Sequence, residues 1–379
     1  MKISLLTATG HYNLGDELIL LQEYNILREK FQGAEFNIFT YEEKSSLLPK
    51  EDNIKYIPYF PKNIRKKPIE NLKYLWENIS AIAKSNLIII GGGGLIYDKE
   101  IQKGGSPIWQ WKLRILLAKI FFKKIIWLAV GISYPENKAK SLKFLFSGKK
   151  TLVSVRDKKS HETLEKIGIK SNILDDSVFS YEPKNKSKIS LIDSGSRPEG
   201  QKLGLIGISL RRGYLDHEQD NIKQIILYLS RKGYDIVFLS HSIHQEDILA
   251  DDYIFTRSFA LKYNLKITKS IEETLEYYPK LKFVVGMRFH SLILSVVHNI
   301  PFLALSYGNK TEELLKDLNY SYQINPRTFE FENFIKIFEA LESNENEAKF
   351  DLKAKYDTIK EILILDYNNF LNGLERSQK

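Results

Sequence analysis

Two short stretches hold the side chains best suited to chemistry. Gly286-Met287-Arg288-Phe289-His290 follows the apolar run 282–285, and Ser306-Tyr307-Gly308-Asn309-Lys310 follows the apolar run 301–305. Each run reads as a buried strand that stops and opens a helix. In an open α/β sheet, ligands bind outside the carboxyl ends of the strands, where the N–H groups of helix starts face an anion. Two such strand ends side by side present an arginine, a histidine and a lysine to one crevice. Arginine and lysine hold anions, and a histidine titrating near neutral pH is a credible acid or base. This combination is an anion site with a proton-transfer group in it.

Further polar clusters sit at other strand-to-helix joints. Gly10-His11-Tyr12-Asn13-Leu14-Gly15-Asp16-Glu17 follows the first apolar run. Its glycines permit close backbone approach, and Asp16 is placed to cap a helix or to offer a carboxylate to a sugar hydroxyl. It is not the Gly-x-Gly-x-x-Gly fingerprint of dinucleotide binding. The run Gly91-Gly92-Gly93-Gly94 ends another strand and offers bare N–H groups and room for a ligand, without the Lys-Ser/Thr of a triphosphate-binding loop. Arg156-Asp157 stands at a third joint, either as an anion contact or as a surface ion pair capping a helix. Arg211-Arg212 adds two guanidinium groups, whose planar forks suit carboxylate or phosphate. His241, His244 and Asp247 come together at another, but no third ligand has the spacing of a zinc site, so no metal is expected.

These joints require alternating strands and helices. Apolar runs at 3–8, 35–39, 86–90, 125–130 and 152–155 are separated by helix-period segments such as 17–31, 69–83 and 158–166. A second alternation has strands at 203–209, 235–240, 265–268, 282–285 and 301–305. Between them lies a polar stretch rich in Pro, Gly and Ser, which reads as a linker. The expected organisation is a Rossmann-like domain over 1–182, a linker over 183–202, a second Rossmann-like domain over 203–345 and a helical tail over 346–379.

A chain of 379 residues with 43% hydrophobic content can bury two cores, in keeping with that division. The formal net charge of +9 suggests an anionic partner, and lysines occur along the whole length, with runs at 62–67 and 119–124. No nucleic-acid-binding motif accompanies them, so nucleic acid is not the expected partner. The absence of cysteine removes disulfides, thiolate metal sites and cysteine catalysis. The amino terminus runs directly into a strand, and no segment reaches the ~20 apolar residues of a membrane span, so a cytoplasmic location is expected. The segment 109–124 is basic, aromatic and amphipathic. It reads as a crossover helix, with peripheral contact to the inner face of the membrane as the other use of such a composition.

Taken together and in order, the motifs resemble the polysaccharide pyruvyl transferase family. The marks are Gly10-x-x-Asn13-x-Gly15-Asp16-Glu17, the Gly91–Gly94 run, Ser154-Val155-Arg156-Asp157-x-x-Ser160, Leu174-Asp175-Asp176-Ser177-Val178-Phe179, His241 with Asp247, Gly286-Met287-Arg288-Phe289-His290 and Tyr307-x-x-Lys310. The resemblance implies two Rossmann-like domains facing a cleft, similar to the GT-B architecture. It also implies transfer of the pyruvyl unit of phosphoenolpyruvate onto two hydroxyls of a saccharide acceptor, commonly lipid-linked, to give a cyclic ketal and phosphate, with no cofactor. It carries donor binding onto Arg156, His290 and Lys310, with Arg156 coming from the other domain. Arg288 is then a second clamp, His290 the proton-transfer group, and Asp16 or Asp247 the base for the acceptor. Asn13, Gly15, Gly92, Gly93, Arg211 and His241 are expected on the acceptor side or along the cleft. The competing reading is a GT-B glycosyltransferase that uses a nucleotide sugar.

Overall fold

The structure is a computed structural model and describes residues 1–42, 45, 47–62, 68–97, 108–183, 203–215, 217–244 and 247–376. The expected linker, from 184 on, lies outside the described residues. The chain divides into two compact units: Met1–His11, Gly15–Ser180 and Glu361–Lys379 form the first, and Tyr12–Leu14 with Tyr181–Lys360 the second.

The first unit holds strands β1 (Lys2–Leu6), β2 (Glu35–Thr40), β3 (Ile54–Pro58), β4 (Leu87–Ile90), β5 (Gly93–Tyr97), β6 (Lys124–Ser133), β7 (Thr151–Val155) and β8 (Asn172–Ile173). They form one sheet in the order β3-β2-β1-β4-β6-β7-β8, with β5 pairing β6 off this path, and every pairing is parallel. Helices α1 (Leu14–Lys30), α2 (Pro68–Lys84), α3 (Ile108–Ile120), α4 (Lys143–Phe146) and α5 (Lys158–Glu165) connect them. A central parallel strand is covered on both faces, which is why β4 is a continuous Leu-Ile-Ile-Ile run with every residue buried. The core gathers around Trp127, whose indole N–H donates to the Leu145 carbonyl at 3.1 Å.

The second unit holds β9 (Gly204–Ser209), α6 (Glu218–Lys232), β10 (Tyr234–Phe238), α7 (Asp252–Lys262), β11 (Lys266–Ile267), α8 (Ile271–Tyr277), β12 (Phe283–Gly286), α9 (Phe289–Val297), β13 (Phe302–Leu305), α10 (Asn309–Leu318), β14 (Gln323–Ile324), α11 (Phe331–Ser343) and the long α12 (Glu345–Arg376). Its six parallel strands run in the order β11-β10-β9-β12-β13-β14. The order of connection reverses between β9 and β12. That reversal opens a crevice at their carboxyl ends, the place where doubly wound sheets bind ligands.

Four strands escape the periodicity. β3 has a half-exposed burial pattern, β8 and β14 are only two residues long, and β5 begins inside the glycine run. The expected tail lies within one helix, α12, which follows α11 across Asn344; residues of α12 from Glu361 on belong to the first unit, where the Tyr367 hydroxyl donates to the Asp175 carbonyl at 3.1 Å.

Candidate active site

The second-unit site is built by register. β12 and β13 pair with Gly286 opposite Ala304, and β12 and β9 with Gly286 opposite Ser209. Parallel strands lie ~4.8 Å apart. The residues just beyond these three ends therefore crowd one edge: Arg211 after β9, Arg288 and His290 after β12, Tyr307 and Lys310 after β13. Gly286 is required there, because a Cβ would lie 2.6 Å from both Leu292 Cδ2 and Ser291 Oγ. Without that side chain α9 can start directly against the strand end. Arg288 is the N-cap of α9, and its carbonyl accepts from Ser291 Oγ at 2.6 Å. From Ser291 to Val297 the helix is buried all round, which leaves half-buried His290 in the first turn. Lys310 holds the matching position in α10, after the N-cap Gly308.

Side chains tie the three ends together. Arg211 Nη1 donates to the Tyr307 hydroxyl at 3.2 Å, and its guanidinium lies 4.6 Å from the centre of the Tyr214 ring. The Tyr214 and Tyr307 rings are 4.2 Å apart, so Arg211 is held against an aromatic pair. Arg288 turns to Asp252, the first residue of α7. Its Nε donates to both carboxylate oxygens at 3.2 and 3.0 Å, its Nη2 also reaches Oδ1, and the same Nη2 donates to the Ala250 carbonyl at 3.2 Å. Ser242 N–H donates to Asp252 Oδ2 at 3.0 Å. Burial pushes the Asp252 carboxyl up from its ordinary value, and the guanidinium opposes that shift. As an anion clamp, then, Arg288 has already spent Nε and Nη2 on a protein carboxylate.

His241 is a correction to the expected cleft position. It is buried after β10, with Nδ1 3.0 Å from Ser209 Oγ and Nε2 2.7 Å from the Tyr278 hydroxyl. Both ring nitrogens face protein partners, and burial pushes the imidazole down to about 3. It is neutral near pH 7 and serves to order the strand ends. Asp247 caps a turn, accepting from Leu249 N–H at 3.0 Å, while its own N–H donates to His244 Nδ1 at 2.9 Å. Asn13 belongs to the second unit, forming an antiparallel bridge with Ser242 beside His241. Leu14 N–H donates to the His241 carbonyl at 2.8 Å and Ile243 N–H to the Tyr12 carbonyl at 3.1 Å.

Two histidines give the protein a defined acid limit. His298, half-buried and stacked on the Tyr278 ring, is pushed down to about 4 by loss of water around it. Unfolding frees both imidazoles to take up protons below about pH 6.5, so stability is complete above that value and falls as the pH drops through about 4 and 3. Each contributes a slope of about 1.4 kcal/mol per pH unit inside its window. Urea unfolding at pH 7 and pH 5 is expected to show a clear loss for the wild type and a smaller one for His298→Gln; equal pH dependence in the two proteins rejects this account.

In the first unit the joint after β1 and the glycine run converge on α1. Gly10 has φ +91°, and a Cβ there would meet Glu42 N and Thr40 Oγ1 at 2.5 Å; its N–H donates to Glu17 Oε1 at 3.0 Å. The N–H of Gly92 is not bare: it donates to the buried Glu23 carboxylate at 2.6 Å. A Cβ at Gly91 would collide with that carboxylate at 2.0 Å. These glycines make room for a protein carboxyl, one that burial raises well above its ordinary pKa. Asp16 and Gly93 are brought together, since a Cβ at Gly93 would lie 3.4 Å from Asp16 Oδ1; Gly15 is buried in the first turn of α1. Asp157 is the N-cap of α5 and accepts from Ser160 N–H at 2.7 Å. The Arg156 side chain is 5% exposed, with Nε 3.7 Å from Asp157 and Nη1 3.5 Å from Asp176. It lies flat on Gly131, where a Cβ would approach Nε to 2.9 Å.

A sequence profile described as polysaccharide pyruvyl transferase matches residues 13–309, more than half of the chain. The chain belongs to the polysaccharide pyruvyl transferase family. No curated protein sequence matches it. Among solved structures it is similar to a glycosyltransferase from Rickettsia africae (TM-score 0.62, 13% identity, 100% of this chain and 98% of that one). It is also similar to Anabaena HepE in complex with UDP-glucose (0.61, 12%, 97% and 100%) and to UDP-GlcNAc 2-epimerase from Neisseria meningitidis bound to UDP-GlcNAc (0.60, 12%, 97% and 99%). At such identities these neighbours speak for the fold, which is GT-B: parallel α/β sheets in two domains.

Within this pyruvyl transferase family member, the arginine, histidine and lysine read from the sequence do share one sheet edge. Sequence reasoning missed Asp252, Tyr214 and the paired roles of Ser209 and Tyr278. The one available signal was Asp251-Asp252 opening an apolar helix-period segment, and it resembles an ordinary helix cap. Asp251 does serve as that cap, accepting from Ile254 N–H at 2.7 Å.

Proposed function

We propose that the chain transfers the pyruvyl group of phosphoenolpyruvate onto two hydroxyls of a sugar in a lipid-linked polysaccharide precursor, forming a cyclic ketal and releasing phosphate. The observation that carries this reading is the convergence of Arg211, Arg288, His290 and Lys310 on three adjacent strand ends of the second unit, in a member of the pyruvyl transferase family. The donor is a small enol phosphate that carries a carboxylate beside its phosphate. A sugar hydroxyl adds to C2 while C3 takes a proton from His290, and the hydroxyl proton passes to a carboxylate. The second hydroxyl then attacks C2 and gives its proton to His290, now neutral, the C2–O bond to phosphate breaks, and the ketal closes. Lys310 and the N–H groups of Arg211 and Arg288 left over from Tyr307 and Asp252 meet the phosphate and carboxylate of the donor.

The decisive experiment incubates the protein with phosphoenolpyruvate and a panel of lipid-linked and nitrophenyl glycosides. Phosphate release together with the mass gain of a pyruvate ketal is the expected result. Phosphoenolpyruvate should also raise the melting temperature. UDP should not; stabilisation by UDP alone points instead to nucleotide-sugar chemistry. Lys310→Ala removes a charge-assisted contact worth roughly 1.5–3 kcal/mol. Phosphoenolpyruvate affinity should fall by about 10- to 150-fold in calorimetric titration. Wild-type affinity in that variant rejects the role given to Lys310.

A further inference from the structure

Two helices of the first unit carry large apolar side chains on their solvent faces. In α2 the buried face carries Asn71 and Asn78, which hold the chain before the helix: Asn71 pairs with the backbone of Lys62 (N–H and carbonyl, 2.9 and 2.6 Å), and Asn78 binds Phe60 N–H and the Pro58 carbonyl (3.3 and 2.6 Å). The solvent face carries Ile69, Leu72, Lys73 and Trp76, spaced i, i+3, i+4, i+7. Ile69 is 82%, Leu72 70% and Trp76 71% exposed. α3 packs beside α2 and repeats the pattern. Its buried face includes Arg114, stacked 4.1 Å from the Tyr59 ring centre, while Trp109 and Ile120 point outward. Phe122, just past the helix, is 79% exposed. Isolated exposed apolar residues are ordinary; two adjacent solvent-facing stripes are not.

The stretch of chain that begins with α3 is also uneven in charge, whereas α2 balances Glu70 and Glu77 against Lys73 and Lys84. Residues 108–150 hold ten Lys and Arg against the single acid Glu136, a surplus of nine that equals the formal net charge of the entire chain. The remainder of the sequence is electrically balanced, which corrects the impression of a surplus spread along its length. We propose that the α2–α3 face is a docking surface for an anionic lipid bilayer. Its Trp, Ile, Leu and Phe side chains enter the headgroup boundary, and Lys73, Lys112 and Lys123 meet lipid phosphates. A second copy of the chain is a poor occupant, since an isologous contact would set the same positive surface against itself. A nucleic acid would use the lysines and leave the aliphatic stripes in water. No described helix is long and apolar enough to cross a membrane. The surface lies wholly in the first unit, so the inference stands independently of the donor assignment.

The test uses the full chain and vesicles of phosphatidylcholine alone or mixed with phosphatidylglycerol. The protein is expected to sediment with the mixed vesicles, to bind pure phosphatidylcholine far more weakly, and to be released by salt. Of four tryptophans, Trp76 and Trp109 are exposed whereas Trp111 and Trp127 are buried, so binding should shift the emission to the blue. The double variant Trp76→Ser/Trp109→Ser should abolish that shift and weaken binding about tenfold or more. Lys112→Glu/Lys123→Glu should remove the preference for anionic lipid. Both double variants should keep the wild-type melting temperature, because Trp76 and Trp109 are exposed and neither lysine belongs to the buried core. The proposal is overturned if the wild type stays in the supernatant with mixed vesicles or if both variants bind as it does. It is equally overturned if the wild type dimerises without lipid and Trp76→Ser/Trp109→Ser makes it monomeric, which would give the face to a second copy.

Discussion

His290→Gln is expected to lower kcat by about 100- to 10,000-fold while phosphoenolpyruvate still binds. The imidazole stands in the first turn of a helix whose remaining turns are buried, so it has little freedom beyond its own side-chain rotation. In the proposed reaction the cationic hold on the donor is shared among Arg211, Arg288 and Lys310, so loss of one ring removes only a part of that hold. What it would remove is the proton for C3. Glutamine keeps a hydrogen-bond donor of similar reach and cannot shuttle a proton. In steady-state kinetics the deficit should therefore fall on kcat more than on KM. His241 offers no rescue, because it is sealed between Ser209 and Tyr278 and stays neutral down to about pH 3. If His290→Gln retains kcat and loses only affinity, the histidine is a donor ligand, and another group supplies the proton.

Asp252→Asn should cost about 3 kcal/mol of folding stability, the lower end of what is seen when one member of a buried ion pair is removed. The carboxylate is 3% exposed and the guanidinium of Arg288 15%, so asparagine leaves a nearly buried positive charge facing a neutral amide. One contact survives: an amide oxygen can still accept the Ser242 N–H that Asp252 Oδ2 accepts at 3.0 Å. Urea unfolding at pH 7 should show a lower midpoint with an unchanged slope, since the surface exposed on unfolding is the same. The double variant Asp252→Asn/Arg288→Met should recover much of the loss, because the stranded charge is then gone. Stability equal to wild type in the single variant would mean that the pair is solvated and that Arg288 is free to serve as a full anion clamp. Activity should drop as well, because Asp252 fixes the direction in which Arg288 presents its remaining N–H groups.

The two outcomes separate chemistry from scaffolding at one sheet edge, where function depends on both. Lys310 and His290 occupy equivalent positions in successive helices, and both are offered to the ligand by strand ends in register. Arg211 and Arg288 are partly spent on the protein itself, on Tyr307 and Asp252. Such pairing restricts the guanidinium groups to one orientation and lowers the entropic cost of binding a small, doubly charged donor.

Much of this was written in the order of residues. Continuous apolar runs bounded by glycine mark β4 and β12 as central parallel strands, since only strands covered on both faces tolerate such runs. Glycine followed by arginine and histidine identifies a strand-to-helix joint, and a repeated strand–helix alternation is enough for two Rossmann-like units. Other features needed tertiary structure because they depend on partners distant in sequence. The run at Gly91 and Gly92 reads as bare N–H groups with room for a ligand, yet Glu23, some seventy positions earlier in the chain, fills that room. His241 looked like a cleft residue, but the Tyr278 hydroxyl closes over its Nε2. Asp252 looked like a helix cap and is the counter-charge of Arg288. Periodicity reports which face of an element is apolar and is silent on what that face meets, which is why α2 reads as an ordinary crossover helix and the segment 109–124 admits both a crossover helix and a membrane contact. Local order specifies the elements and their joints; burial and pairing across the fold decide which of the polar groups at those joints remain for a substrate.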